Sequence, residues 1–481
     1  MEDFQTNKPF PKSTRDKVPF GQKAAFGAGH LVNNLFPGAL GVFSFFLLTA
    51  FGMDPLLAGI LGGLPRIYDA IIDPIIGHIS DNTASKWGRR RPFIFIGAIL
   101  SGLFFIVLWQ LDPKDSQMYN FWYFLIFSLI FLTGNALFAT PLIGLGYEMT
   151  SDYKERTRLM GFSQTIGQIA WMIVPWFWVI IADPTIFKTQ AIGVHKLSII
   201  VGAICIVLGI MPALFCKEMD QTNLQNKGKG TKSLFSELLG LFKSIGQISK
   251  NKSFMKLCAA TFLVFNGFQM VASFSYFIIV FYLFKGNFGL AGTWPAWFST
   301  ISAVFIAFLI IPIVTIISNK FGKRNAFIIS TFLSILGYGM KWWGFNPENP
   351  WLMFIPVPLI AFGLGGLFTL MMSMTADVCD LDELENGLPR KEGTFGAIYW
   401  WMVKLGQGLA LVLSGWVLKI IGFDASVAVQ SSETLTNLRL FDIFIPVITA
   451  AIAIWVMWDY NLSEEKAKEI KEKLIAKRGE L

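Results

Sequence analysis

The sequence predicts an all-helical (all-α) polytopic membrane protein of twelve transmembrane helices in two six-helix halves, and three observations carry that reading. Of the 481 residues, 54% are apolar and only 15% charged, against roughly 25% charged in a soluble protein, and the mean hydropathy is +0.55. Apolar runs of about 20 residues, each enough to cross a bilayer, recur along the whole chain. A pattern of motifs in the first half of the chain also returns in the second.

Residues 1–22 are polar, with no apolar core ahead of a cleavage site, so the first apolar run is expected to stay as a helix rather than to leave as a signal peptide. The N-terminal half, 23–216, holds runs near 23–51, 55–80, 92–111, 119–147, 159–182 and 194–215. The connection, 217–252, is a Gly/Lys-rich stretch followed by a stripe of Leu234, Leu238, Leu241, Ile245 and Ile248, which suits an amphipathic helix on the membrane surface. The C-terminal half, 253–460, holds runs near 254–284, 293–318, 325–344, 351–376, 394–421 and 438–460. The tail, 461–481, pairs Glu464 with Lys468 and Glu469 with Lys473 at i, i+4, as a solvated helix does.

A net charge of +8 would suggest nucleic acid in a soluble chain, but here its placement matters more than its sum. Lys and Arg crowd the N-terminus, the even-numbered loops and the C-tail. Near the odd loops stand only Lys114, Lys188, Lys196, Lys285, Lys341, Lys419 and Arg439. The positive-inside rule therefore puts the even loops and both termini in the cytoplasm. Four scattered cysteines and three histidines suggest neither a disulfide framework nor a zinc site, and no resident cofactor is expected. GKGTKS lacks Walker A spacing, no HExxH or GxSxG exists, and His30, His78 and His195 are far apart, so ATP-driven transport and intramembrane catalysis lack support.

Pro74-Ile-Ile-Gly-His-Ile-Ser80 with Gly88-Arg-Arg-Arg-Pro-Phe-Ile94 recurs as Pro312-Ile-Val-Thr-Ile-Ile-Ser318 with Gly322-Lys-Arg-Asn-Ala-Phe-Ile328, and Met149-Thr-Ser-Asp152 as Met374-Thr-Ala-Asp377. Two six-helix halves joined by a cytoplasmic loop resemble the major facilitator superfamily, whose halves alternate access to a midplane site.

Charge inside a bilayer is costly, so each such residue marks a candidate site. In helix 2, Arg66, Asp69 and Asp73 fall at i, i+3 and i+7 on one face. At 1.5 Å per residue from Asp81, Asp73 and Asp69 lie about 12 and 18 Å deep. Two carboxylates one turn apart repel when ionised, so the site should hold a proton or a hard monovalent cation such as Na+. The repeat equivalents are Val304, Ala307 and Ile311, so the fold itself does not need these charges. The alternative is a structural ion pair between Arg66 and one aspartate. Lys404 in helix 11, about 17 Å deep, faces the cavity as a counter-charge to these aspartates or as a donor to substrate oxygens. Tyr399, Trp400 and Trp401 beside it offer flat rings that suit sugar stacking.

The loops after helices 2, 4 and 10 carry Arg89, Arg90 and Arg91, then Asp152, Glu155, Arg156 and Arg158, then Asp377, Asp380, Asp382, Glu383, Arg390 and Glu392. Ion pairs between the halves would close the cytoplasmic side and break when it opens. Topology signalling with solvated charge is the competing explanation.

YDAIIDPIIGHISDNTASKWGRRRPFIFIG, PLIGLGYEMTSDYKERTRLMGF and TADVCDLDELENGLPRKEGTFGAIYWWMVKLGQ together resemble the glycoside-pentoside-hexuronide:cation symporters, the melibiose-permease-like family of this superfamily. The resemblance implies sugar or glycoside uptake coupled to sodium or protons in a bacterial cytoplasmic (inner) membrane. It implies that Asp69 and Asp73 bind the cation, that Arg66 and Lys404 are the family's helix 2 arginine and helix 11 lysine, and that Asp377, Asp380, Glu383 and Arg390 form its gating loop. The sugar site departs from the galactoside carriers: Asn34 stands for their helix 1 aspartate, Ala139 for their helix 4 aspartate and Gln164 for their helix 5 arginine, while Phe368 matches a helix 10 aromatic. The expected substrate contacts are Asn34, Arg66, Gln164, Phe368, Tyr399, Trp400 and Lys404, in a carrier that works as a monomer in the lipid bilayer. An uncoupled uniporter and a carrier of lysolipids or other amphiphiles are the rival readings.

Overall fold

The computed structural model describes residues 17–83, 85–150, 153–217, 251–386, 392–462 and 464–479, and every regular element among them is helical. The expected amphipathic helix in the connection lies outside the described residues. The helices of the N-terminal set are α1 (Phe20–Thr49), α2 (Pro55–Asn82), α3 (Arg91–Leu108), α4 (Gln117–Glu148), α5 (Tyr153–Ile173), α6 (Pro175–Ala182) and α7 (Gln190–Phe215). The C-terminal set is α8 (Lys252–Phe277), α9 (Phe288–Ala291), α10 (Trp294–Val304), α11 (Ile311–Phe321), α12 (Lys323–Gly344), α13 (Val357–Asn386), α14 (Glu392–Ile420) and α15 (Ser432–Trp458), followed by the tail helix α16 (Glu464–Gly479). Eleven spans among the described residues are long and apolar enough to cross a membrane. The remaining span, α12, carries Lys323, Arg324 and Lys341.

Polar residues just ahead of the apolar runs start these helices by accepting from first-turn N–H groups: Asp54 for α2, Ser116 for α4, Thr189 for α7, Asn251 for α8 and Ser431 for α15. Pro175 separates α5 from α6 within one span, and π-helical turns at Ile278–Leu283 and Phe305–Ile310 extend α8 and join α10 to α11. In the tail, Lys473 reaches Glu469 at 2.6 Å, as the i, i+4 spacing predicts.

The two sets meet most closely along α2 and α14, which run antiparallel. A Cβ at Gly63 would lie 2.4 Å from the Gly408 carbonyl oxygen, and one at Gly415 would lie 2.2 Å from that of Pro55. Only residues without side chains let two backbones approach so closely. We call the end at which α2 begins and α14 finishes the outer end, following the basic-residue bias. A buried apolar cluster there draws on both sets, through Phe45 and Trp178 on one side and Phe277, Phe281 and Phe423 on the other. At the inner end a separate cluster, including Phe254, Phe327, Met371, Phe395 and Met457, belongs to the C-terminal set alone.

Lys341 falls in the last turn of α12, beside an odd loop as the count of basic residues expects, yet it is fully buried, with its ammonium on the carboxylate of Asp442 in α15. A lysine near a helix end ordinarily reaches back to the interface. Here a partner a hundred residues away in sequence holds it inside. Arg439, one turn from Asp442, is likewise within α15, between the rings of Tyr282 and Trp342 at 4.3 and 4.2 Å.

Removing one member of a buried ion pair strands the other charge, at about 3 to 5 kcal/mol, whereas replacing both with apolar groups is often neutral. Lys341→Met should therefore lower the thermal stability of the purified protein sharply, and Lys341→Met with Asp442→Leu should restore most of it. Equal stability of single and double variants would contradict this.

Candidate functional site

The glycine seam positions the charges. Gly408 of α14 packs against Gly63 and the Cβ of Arg66 on α2, and Lys404 stands four residues before it, one turn toward the inner end. From there its ammonium contacts both carboxylates of the other set: Asp69 Oδ2 at 2.8 Å, and Asp73 Oδ2. The charged face expected on α2 and the lysine expected opposite it are thus brought together. The alternative ion pair between Arg66 and an aspartate is not what the structure shows. The partner is Lys404, and Arg66 makes no hydrogen bond or ion pair that the structure gives among the described residues.

Behind the site, Tyr68 bonds Thr133 at 2.7 Å and so ties α2 to α4, while Asn266 donates to the Gly406 carbonyl at 3.1 Å and ties α8 to α14. Thr140 Oγ1 donates to Asp73 Oδ1 at 3.4 Å, which adds a hydroxyl beside the carboxylates. Sequence reasoning missed Thr140. Its signal was an uncharged hydroxyl within an apolar run, which is common in membrane helices.

The Asp69 side chain is 6% exposed, Asp73, one turn nearer the inner end of α2, is 32% exposed, and Lys404 on α14 is 25% exposed. Groups so placed in the middle of the bundle keep that exposure only beside an open space. The outer side is closed by Trp178, whose indole stacks between Phe46 of α1 and Phe288 of α9 at 5.4 and 5.8 Å and donates to the Gly292 carbonyl at 3.1 Å. Phe45 meets Phe277 at 4.7 Å, Trp176 meets Trp297 at 5.2 Å, and Lys419 bonds Asp54 at 3.2 Å. These contacts, which sequence reasoning did not anticipate, join the two sets at the outer end.

Other expected residues sort by burial. Phe368 stacks on Trp400 at 6.1 Å, and Trp400 is 46% exposed, so the pair forms an aromatic wall. Tyr399 is fully buried in the C-terminal set and does not line the cavity, because at 100° per residue neighbours in a helix face different ways. Asn34 has both ends of its amide engaged, with His30 and Trp171. Asp152 and Arg390, and the side chains of Gln164 and Arg156, lie outside the described residues.

Several expected gating residues have partners within their own set. Glu155 accepts from Lys23 at 2.6 Å and from the Val18 N–H at 3.1 Å. Arg91 donates to the Ala213 and Leu214 carbonyls at the end of α7, and Asp377 accepts from Lys323 at 2.6 Å. The guanidinium of Arg90 lies against Gly144 of α4. Arg89, Asp380 and Glu383 sit at the inner end, with Glu383 buried.

Residues 25–464 match the family described as MFS/sugar transport protein. The chain belongs to that family. It is a multi-pass membrane transporter of the major facilitator fold and not an enzyme, and the kinship read from its motifs holds. The isoprimeverose transporter of Lactiplantibacillus pentosus is 22% identical over 94% of this chain and 91% of its own length. The glucuronide carrier protein homolog of Escherichia coli K12 is 24% identical over 92% of this chain and 93% of its own. Among solved structures, the nucleoside transporter NupG superimposes with a TM-score of 0.66 at 15% identity, covering 92% of this chain and 100% of that one.

Overpacking the α2–α14 seam costs about 1 to 3 kcal/mol, enough to shift a balanced two-state carrier roughly tenfold or more. The reporter is Gly41→Cys, an exposed position of α1 with open space around its Cβ, in a chain whose four native cysteines are buried. Gly63→Leu should raise its labelling by an impermeant thiol reagent added from outside about tenfold. Unchanged labelling would mean that the seam does not hold the outer side shut.

Proposed function

We propose that this protein takes up a sugar or glycoside in symport with a monovalent cation, Na+ or H+, by alternating access across a bacterial inner membrane. In this reading 23–216 and 253–460 are the two moving halves, 217–252 is the cytoplasmic link, both termini are cytoplasmic and one chain suffices. The observation that carries the proposal is Lys404 held by both Asp69 and Asp73 across the two sets.

Two carboxylates close together in a low-dielectric bundle need a cation, and Lys404 supplies one when no ion is bound. An entering Na+ or proton takes over that neutralisation and frees the lysine, so occupancy of the site changes a contact that links the halves. This is the physical requirement for coupling ion to conformation. Substrate then sits between the halves, with Arg66 and the released Lys404 as donors and Phe368 with Trp400 as the wall. The sugar specificities in the names of the two relatives support a sugar or glycoside as cargo.

The test measures thermal stability of the purified protein against Na+ at constant ionic strength and several pH values, for wild type, Asp73→Asn and Lys404→Met. A ligand at a hundred times its Kd adds about 2.7 kcal/mol. Saturable stabilisation by Na+ is expected in wild type, at lower Na+ in Lys404→Met, and not in Asp73→Asn. Uptake of 4-nitrophenyl xyloside, glucoside, galactoside and glucuronide under a Na+ gradient then identifies the cargo. A pH effect without a Na+ effect assigns the site to protons, and neither effect would overturn cation coupling.

A further inference from the structure

Asn34 is expected to bind sugar, yet each end of its amide already makes a hydrogen bond within the N-terminal set. Its Nδ2 donates to the His30 carbonyl at 2.9 Å, and its Oδ1 accepts from Trp171 Nε1 at 3.0 Å. Gly167 makes room for it, since a Cβ there would lie 2.7 Å from Asn34 Nδ2. The amide of Asn34 therefore fixes an indole by its polar edge and leaves the ring faces free. Trp171 is 41% exposed, although it lies mid-span in α5.

The helix geometry shows where that ring looks. Trp171 precedes Trp178 by seven residues, two turns, and so shares its face. Val174 between them keeps helical angles, φ −54° and ψ −42°, so the Pro175 junction preserves the phase. Trp178 is buried against the C-terminal set through Tyr276 and Phe288. About 10 Å inward along the same face, Trp171 looks into the gap between the sets, directly beneath the outer plug. Arg66 and Trp171 are each eleven residues from the outer ends of α2 and α6, which puts both about 17 Å in.

We infer that Trp171 is the platform on which the ring of a pyranose substrate stacks, and that Asn34 is the positioning residue that orients it rather than a sugar ligand. The inference rests on the sugar-transport reading above. A pyranose has C–H faces and a rim of hydroxyls. An indole fixed by its N–H presents a π-face to the former, while Arg66 at the same depth and Lys404 offer donors to the latter. Phe368 and Trp400 bound the cavity on the C-terminal side.

The test uses the glycoside of the panel with the fastest uptake. Stacking of this kind is worth about tenfold in affinity. Trp171→Ala should raise KM for uptake about tenfold while the response to Na+ persists, and Trp171→Phe, which keeps a ring, should change KM far less. Asn34→Leu should raise KM as well, and Asn34→Asp, which keeps an acceptor for the indole, should recover most of the loss. Trp171→Cys should be labelled by a thiol reagent from the cytoplasmic side, and the glycoside should block that labelling. A KM for Trp171→Ala within twofold of wild type, or labelling indifferent to the glycoside, would overturn the platform and leave the symporter intact. If wild type takes up none of the four glycosides and none of them stabilises it, the sugar reading falls and the platform falls with it.

Discussion

Backbone contact between α2 and α14 is the constraint on which the rest of this structure depends. Gly59, Gly63, Gly408 and Gly415 bring two helices of different halves to carbonyl contact near the outer end. Without side chains at those points the two backbones can touch. Just inward of it, α2 carries Asp69 and Asp73 and α14 carries Lys404, so the charges meet across the boundary the halves must move along. A lone charge in the bundle is costly, so in the proposed mechanism whichever cation neutralises the aspartates also decides how the two halves are joined.

Two lysine–aspartate sites of the same chemistry stand out within the membrane spans of the described residues. Lys341 and Asp442 are fully buried, belong to one set and have no path to the cavity. They hold α12 to α15. Lys404 with Asp69 and Asp73 is partly open, crosses between the sets and shares its space with a hydroxyl and a guanidinium. Burial and connectivity, not residue type, separate the buried clamp from the site proposed to switch.

Much of the site was legible because depth is legible. Counting residues from a helix end locates a charge along the membrane normal, and Lys404 and Asp69, each counted from the inner end of its helix, come out at nearly the same level. What the sequence leaves open are assignments that need azimuth as well as depth. Tyr399 and Trp400 are neighbours in sequence, but Tyr399 is buried and Trp400 is exposed. Asn34 lies at the right depth, yet its amide is engaged by its own helix and by Trp171. Charges near the inner end looked alike in sequence, while Glu155, Arg91 and Asp377 each find a partner within their own set.

The sequence by itself determined that the chain crosses a membrane repeatedly, that its halves are related, and that two carboxylates and a lysine lie where charge is least tolerated. Those conclusions follow from local quantities: hydropathy, spacing along a helix and the cost of burying a charge. Only the tertiary structure decided that Lys404 reaches both aspartates across the two sets, that Lys341 is buried on Asp442, and that the two sets meet around Trp178. Each of these depends on which faces of distant helices meet, and that is set by packing between segments that share no local pattern.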